Sequence, residues 1–112
     1  MYLKNKPDGF FKKLPDHYIW LELYDNKGTY GYCGVEIIVP WASIHTEITR
    51  WSHKVARSLI EDWKEIKEIC RFGGATQAIA SNDDMQDDRW FKFIRLFGFP
   101  EPQPVLISKQ EL

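Results

Sequence analysis

The chain of 112 residues is long enough for one domain with a buried core. A formal net charge of −1 without a long basic run argues against non-specific binding to nucleic acid, and no apolar run approaches the roughly 20 residues of a membrane span. Aromatic residues make up 15% of the chain, which is more than so small a core needs, so some rings should line a surface or a groove.

Residues 1–16 contain two prolines, a glycine and several lysines, and we expect them to form an irregular N-terminal arm. Phe10 and Phe11 of this arm are expected to tuck against a single domain formed by residues 17–112. The N-terminus shows no apolar centre of a secretory signal.

Residues 17–40 predict a β-hairpin, because HYIWLELYD and TYGYCGVEIIVP each alternate between two faces on either side of NKG. A three-residue loop that ends in Gly28 pairs Asp25 with Thr29. This register makes one face of the hairpin aliphatic and the other aromatic, with two carboxylates. The aromatic face comprises Tyr18, Trp20, Glu22, Tyr24, Tyr30, Tyr32 and Glu36.

A long helix is predicted over residues 43–70, where apolar residues recur at spacings of three and four. These residues are Ile44, Ile48, Trp51, Val55, Leu59, Trp63, Ile66 and Cys70. Either Ser43 or Thr46 is expected to cap the N-terminus of the helix, and either Gly73 or Gly74 to end it.

The remaining sequence predicts a strand over residues 75–81, a helix over about 84–97 and a strand over 104–108. The buried stripe expected for the second helix is Trp90, Phe93, Ile94 and Phe97. The order β-β-α-β-α-β indicates an α/β (α+β) fold around a small central sheet.

No metal site is expected, since the three histidines and two cysteines show no ligand spacing such as i,i+4 or C-x2-C. Cys33 and Cys70 form neither a redox motif nor a disulfide framework, and we expect two buried thiols. A nucleophilic pair of Cys33 with His45 is disfavoured because Cys33 falls on the aliphatic face.

The segment VEIIVP is followed by a long amphipathic helix, a strand and the stretch NDDMQDDRWFKFIRLFGF. This order resembles the later half of a GNAT N-acyltransferase, in which a strand of the type E-x-x-x-V-x-P precedes the cofactor-binding helix. A later helix of that family has the form N-x-x-A-x-x-(F/L)-Y-x-x-x-G-F, and Asp87, Phe93 and the Gly98–Phe99 pair fall on this pattern. The resemblance covers about two thirds of the chain and implies a truncated GNAT-like domain.

The sequence departs from the family where the family carries its chemistry. GNAT enzymes place Q/R-x-x-G-x-G/A before the cofactor helix, so that bare amides hold the CoA pyrophosphate at the helix N-terminus. The matching region here, WASIHTEITRWSHKVA, has no glycine, and its Glu47 would repel a pyrophosphate. Ile94 stands where the family has a tyrosine as general acid, and only Glu36 lies where the family often keeps a general base.

A shortened pattern without the glycine loop also resembles GNAT-like internal virion proteins of T7-type phages, through ITRWSHKVARSLI and DRWFKFIRLFGF. It implies a non-catalytic accessory or virion protein that binds other proteins, in the cytoplasm of a bacterial host or in the virion. We expect no cofactor and no contact with nucleic acid or membrane. A phage inhibitor of a host defence complex is an alternative with the same binding chemistry.

The predicted protein-binding surface is the aromatic face of the hairpin, because aromatic rings are enriched in interface hot spots. It comprises Trp20, Glu22, Tyr24, Tyr30 and Tyr32, and either a partner protein or a second copy in a homodimer would cover it. The other hypothesis is an acetyl-CoA-dependent N-acyltransferase. For that activity the resemblance implies Glu36 as general base, and Thr46, Arg50 and Asp87 as cofactor contacts.

Overall fold

A computed structural model describes residues 2–81 and 107–112, which form a six-stranded sheet and one long helix. The strands are β1 (Tyr2–Leu3), β2 (Ile19–Asp25), β3 (Gly28–Ile38), β4 (Trp41–Ile48), β5 (Gln77–Ser81) and β6 (Ile107–Glu111), and the helix is α1 (His53–Phe72). The predicted mixed α/β (α+β) architecture around a central sheet is confirmed.

The strands follow one another across the sheet in chain order, with β1 at one edge and β6 at the other. Neighbouring strands are antiparallel except for β4 and β5, which are parallel because α1 crosses over between them. The apolar stripe of α1 packs on one face of the sheet, which we call the helix face, and forms the core there. The core side chains of α1 are Val55, Leu59, Trp63, Ile66 and Cys70, and they pack with Leu21, Leu23, Cys33, Val35 and Ile44 of the sheet.

The hairpin formed by β2 and β3 keeps the predicted register at its base and changes it near the turn. The predicted pairs Ile19–Val35, Leu21–Cys33 and Glu22–Tyr32 are confirmed. At the turn, however, Asp25 pairs with Gly28 rather than with Thr29, so the loop has two residues instead of three. A β-bulge between Leu23 and Tyr24 accounts for the difference, because it adds one residue to β3.

Tyr30 is that additional residue, and its side chain joins the helix face instead of the aromatic face. Its ring is fully buried, and its hydroxyl donates a hydrogen bond of 2.5 Å to Asp62 of α1. A bulge can set two successive side chains on the same face, which strict alternation does not allow. The prediction that Tyr30 belongs to the aromatic face is therefore wrong.

The N-terminal part of the predicted helix over residues 43–70 is a strand. β4 extends to Ile48, and α1 begins at His53 with Ser52 as its N-cap, in place of Ser43 or Thr46. Ile44 and Ile48 fit both structures, because a spacing of four sets two side chains on one face in a strand as well as in a helix.

The rest of that helix follows the prediction. The apolar stripe from Val55 to Cys70 is buried, and Gly73 is the C-cap of α1. Gly74 follows with a positive φ of 97°, the left-handed conformation that glycine adopts most easily. The amide of Gly73 donates to the carbonyl of Ile69, which closes the last turn.

The two strands of the C-terminal part agree with the prediction. β5 lies within the predicted strand over 75–81, and β6 overlaps the predicted strand over 104–108 but extends further along the chain. The predicted helix over 84–97, and with it Asp87, lies outside the described residues. Within residues 2–81 and 107–112, no helix combines the length and the apolar character that crossing a membrane requires.

Candidate functional site

The connection between β4 and α1 lies where the resemblance implies a phosphate-binding loop, and Arg50 ties it to the hairpin turn. The Arg50 guanidinium donates to both carboxylate oxygens of Asp25, at 2.7 and 3.2 Å, and to the carbonyl of Gly28 at 3.0 Å. These hydrogen bonds lower the pKa of Asp25 below its usual range and raise the pKa of Arg50. The guanidinium that was predicted to contact a cofactor is thus occupied by a carboxylate of the same chain.

The backbone of this connection is also engaged. The amide of Thr49 donates to the carbonyl of Tyr30 at 2.8 Å, and the hydroxyl of Ser52 accepts from the amide of Val55 at 3.1 Å. Residues 49–52 include no glycine. Side chains therefore take up space through which an anion would approach a bare backbone.

Thr46 lies within β4 and not at the helix end. It pairs with Cys33 in the middle of the sheet and belongs to the helix face. The structure therefore does not bring Thr46 together with Arg50, whose guanidinium contacts the hairpin turn. The third predicted cofactor contact, Asp87, is outside the described residues.

The carboxyl ends of the parallel strands β4 and β5 lie on the side of the sheet at which α1 begins. Trp41–Ile44 pairs with Gln77–Ala80, and the later residues of β4 continue along β3 as far as Ile48. In open sheets of this kind, ligands bind outside the carboxyl ends of the strands, near helix N-termini. The predicted cofactor position thus lies at this end of the parallel pair.

The N-terminal arm covers the opposite side of the sheet, which we call the arm face. The ring of Phe11 stacks on Trp20 with 5.4 Å between centroids, and Phe10 contacts Tyr32 at 4.6 Å. The indole N–H of Trp20 donates to the carbonyl of Asp16 at 3.1 Å. The prediction that both phenylalanines tuck against the domain is confirmed, and Trp20 is only 2% exposed.

The five residues predicted to bind a protein do not form one open surface. Trp20 and Tyr30 are buried on opposite faces of the sheet, and Tyr32 lies under the arm. Glu22 accepts a hydrogen bond within the hairpin, and Tyr24 is well exposed. A partner that uses this set of residues would first have to displace the arm, so their binding role stays a prediction.

Glu36 lies on the arm face within a cluster of polar and aromatic side chains. It shares a hydrogen bond with the ring of His17 and accepts another from the hydroxyl of Tyr18. The ring of Tyr18 also lies against His45, with 5.7 Å between centroids, and stacks on Trp20. Burial, together with the charge and hydrogen bond of Glu36, raises the pKa of Tyr18 above its usual range.

The structure places one more strand between Glu36 and the helix than the resemblance implies. The resemblance implies that its strand leads directly into the cofactor helix, whereas β4 comes between β3 and α1. Sequence reasoning also missed His17, Tyr18 and His45 as neighbours of Glu36. No local motif links these residues, because they meet only where the end of the arm and two neighbouring strands come together.

Neither cysteine is suited to nucleophilic chemistry. Cys33 and Cys70 are free thiols buried in the core. Burial raises the pKa of Cys33 well above its ordinary value and that of Cys70 to about 11, so both remain protonated at neutral pH. In the part of the chain that the structure describes, no group of His, Cys, Asp and Glu side chains is arranged to hold a metal ion.

No family model and no curated protein matches the sequence. The fold is similar to that of the PaiA N-acetyltransferase from Thermoplasma acidophilum, which was solved in complex with coenzyme A. The two chains are 18% identical, the TM-score is 0.63, and the match covers 85% of this chain and 61% of the enzyme. This chain thus spans less than two thirds of the enzyme, and the likeness shows a truncated GNAT-like fold.

Proposed function

We propose that this chain uses a GNAT-like scaffold to bind protein and does not transfer acyl groups. The β4–α1 connection carries this proposal, because the groups that would hold a pyrophosphate there are used within the chain. Arg50 is paired with Asp25, the amide of Thr49 is bonded to Tyr30, and no glycine exposes the backbone. An anion at this position would have to break the ion pair and pass the side chains of the connection.

A role as an accessory or virion protein of a tailed phage agrees with the sequence layout, which resembles GNAT-like internal virion proteins. The partner would then be another virion protein or a protein of the bacterial host. A host defence complex is one partner of this kind.

Calorimetric titration with acetyl-CoA tests the proposal, with the Thermoplasma enzyme as the positive control. We expect no binding heat from this chain at millimolar cofactor. The Asp25→Ala variant releases the Arg50 guanidinium and so distinguishes a blocked site from an absent one. We expect that it also gives no binding heat. Micromolar binding by the natural chain would overturn the non-catalytic proposal.

The second candidate is an acetyl-CoA-dependent N-acyltransferase. It is favoured by the carboxyl ends of β4 and β5 beside α1 and by the similarity to an enzyme solved with coenzyme A. Glu36 would act as the general base, since its carboxylate is 23% exposed and is placed by His17 and Tyr18. If the chain releases coenzyme A with an amine acceptor, the Glu36→Gln variant should lose that activity while its fold is retained.

A further inference from the structure

We infer that two copies of this chain associate through an apolar surface at the C-terminal end of α1. Three large apolar side chains are exposed there: Phe72 is 97% exposed, Tyr2 67% and Val39 65%. We call this set of three residues the Phe72 surface. Single exposed apolar residues are common in proteins, but a cluster of this size marks an interaction site.

A groove beside Phe72 makes this surface complementary to itself. It has a volume of about 630 Å³, and its apolar wall is formed by Tyr2, Ile19, Ile37 and Ile69. Phe72 lies at the rim of the same groove. A projecting ring next to a groove is the arrangement that a two-fold axis can satisfy, because each copy then inserts its ring into the groove of the other.

The surface is held in place by the fold. Gly73 packs directly on Ile37, and the amides of Thr76 and Gln77 donate to the carbonyl of Pro40 at 2.9 and 3.1 Å. The turn that carries Val39 is thus bonded to the segment that follows α1. The surface is therefore already ordered in the single chain, and association would cost little conformational entropy.

The charges at the rim suit a second copy. Glu68 and Arg71 both line the groove and form an exposed ion pair of 2.6 Å with each other. Since the rim carries one charge of each sign and the two are paired within each copy, association creates no net repulsion there.

The exposed area is consistent with a weak dimer. The Phe72 surface offers on the order of 400 Å², since one large aromatic side chain carries roughly 150–250 Å². Two copies would bury on the order of 800 Å², which is in the range of weak, transient interfaces. We therefore expect a reversible dimer whose population depends on protein concentration.

The end of β5 and the start of β6 lie away from this surface. β5 ends at Ser81 and β6 begins at Ile107, and these two residues pair with each other. In the parallel pair of β4 and β5, Trp41 lies beside Gln77 and Ile44 beside Ala80. Ser81 and Ile107 therefore lie at the end of the sheet away from Trp41. Phe72 and Val39 lie on the Trp41 side, because the chain after α1 bonds to Pro40.

This inference names a second copy as a partner and rests on the proposed protein-binding function. Sedimentation velocity of the full chain, from low micromolar to near-millimolar concentration, tests it separately from cofactor binding. We expect the sedimentation coefficient to rise toward that of a dimer. Phe72→Glu should weaken the association at least about tenfold, because it would bury a charge in the groove of the other copy.

Ile60→Glu is the matched control, since Ile60 is an exposed apolar residue of the same helix outside the Phe72 surface. It should leave the dimer unchanged, and Val39→Asp should act like Phe72→Glu. Circular dichroism should show the same fold in all variants, because Phe72 and Val39 are largely exposed and Ile60 lies outside the buried stripe of α1. A natural chain that remains monomeric near millimolar concentration, or a dimer that Phe72→Glu does not affect, would overturn the inference.

Discussion

Tyr30 shows how the surroundings of one side chain set its contribution to the fold. Its hydroxyl is buried against α1, where it donates to the carboxylate of Asp62. Burial raises the pKa of Asp62 above its usual value, and the hydrogen bond from Tyr30 opposes that shift. The same burial and the adjacent carboxylate raise the pKa of Tyr30 far above its ordinary range, so it stays a donor at all physiological pH values.

Tyr30→Phe should lower the free energy of unfolding by about 1 kcal/mol at neutral pH, because Asp62 then keeps a half-buried charge without its donor. Denaturant titration measures this loss. Asp62→Asn is the matched variant, since the amide oxygen still accepts from Tyr30 and the charge is removed, and we expect it to be close to neutral. Equal losses in the two variants would contradict this explanation.

The raised pKa of Asp62 makes the stability of the fold depend on pH in a known direction. Because its pKa is raised in the folded state, the folded chain binds the proton more tightly than the unfolded chain. Its contribution to stability is therefore greatest below the ordinary pKa of aspartate, about 3.9, and is lost as the pH rises through the raised value. The deficit of Tyr30→Phe should accordingly shrink as the pH is lowered toward that value.

At the scale of elements, the junction of β4, the hairpin turn and α1 depends on one ion pair. Arg50 follows β4, Asp25 ends β2, and Gly28 begins β3. The side chain of Asp25 is 7% exposed, so its ion pair with Arg50 is largely shielded from solvent. The pair thus joins three strand ends at the point where the chain turns into the helix.

Arg50→Ala should lower the melting temperature by a few degrees at neutral pH. Because the pKa of Asp25 is lowered in the folded state, the stabilisation is present above the ordinary pKa of aspartate and is lost as the pH falls through the lowered value. The difference between Arg50→Ala and the natural chain should therefore disappear in acid. Arg57→Ala, on α1 and outside this junction, is the control, and calorimetric scans at several pH values provide the measurement.

At the scale of the whole molecule, the arm completes the second layer of the fold. Phe11 stacks on Trp20, and its backbone amide bonds to the carboxylate of Glu47, whose pKa burial raises above its usual value. Phe11 has a φ of 54°, a conformation that costs energy in residues other than glycine. Gly34 lies under Trp20, where an added Cβ would come within 2.6 Å of the indole ring.

Phe11→Ala should lower the free energy of unfolding by about 2–3 kcal/mol, since it removes a buried ring and leaves the indole of Trp20 uncovered. Its tryptophan emission should shift to longer wavelength as water reaches that indole. Lys12→Ala, at an exposed neighbouring position, should change neither property. Unchanged emission from Phe11→Ala would mean that the arm does not shield Trp20.

Local periodicity correctly predicted those parts of the fold that depend on neighbours in sequence. Alternation identified the pairs Ile19–Val35 and Leu21–Cys33, and the helical spacing from Val55 to Cys70 identified the core stripe of α1. A glycine after the last apolar residue predicted the end of the helix at Gly73. Glu36 was also identified from the sequence as a candidate general base, because the chain resembles the GNAT family.

Tertiary structure alone decided the features for which the local pattern was ambiguous. The spacing of Ile44 and Ile48 fits a strand and a helix equally, so only pairing with both β3 and β5 makes that segment a strand. The bulge turns Tyr30 inward toward a hydrogen-bond partner in a distant helix. The neighbours of Glu36, the closing of the β4–α1 connection and the Phe72 surface all arise between segments far apart in the chain, where sequence periodicity carries no information.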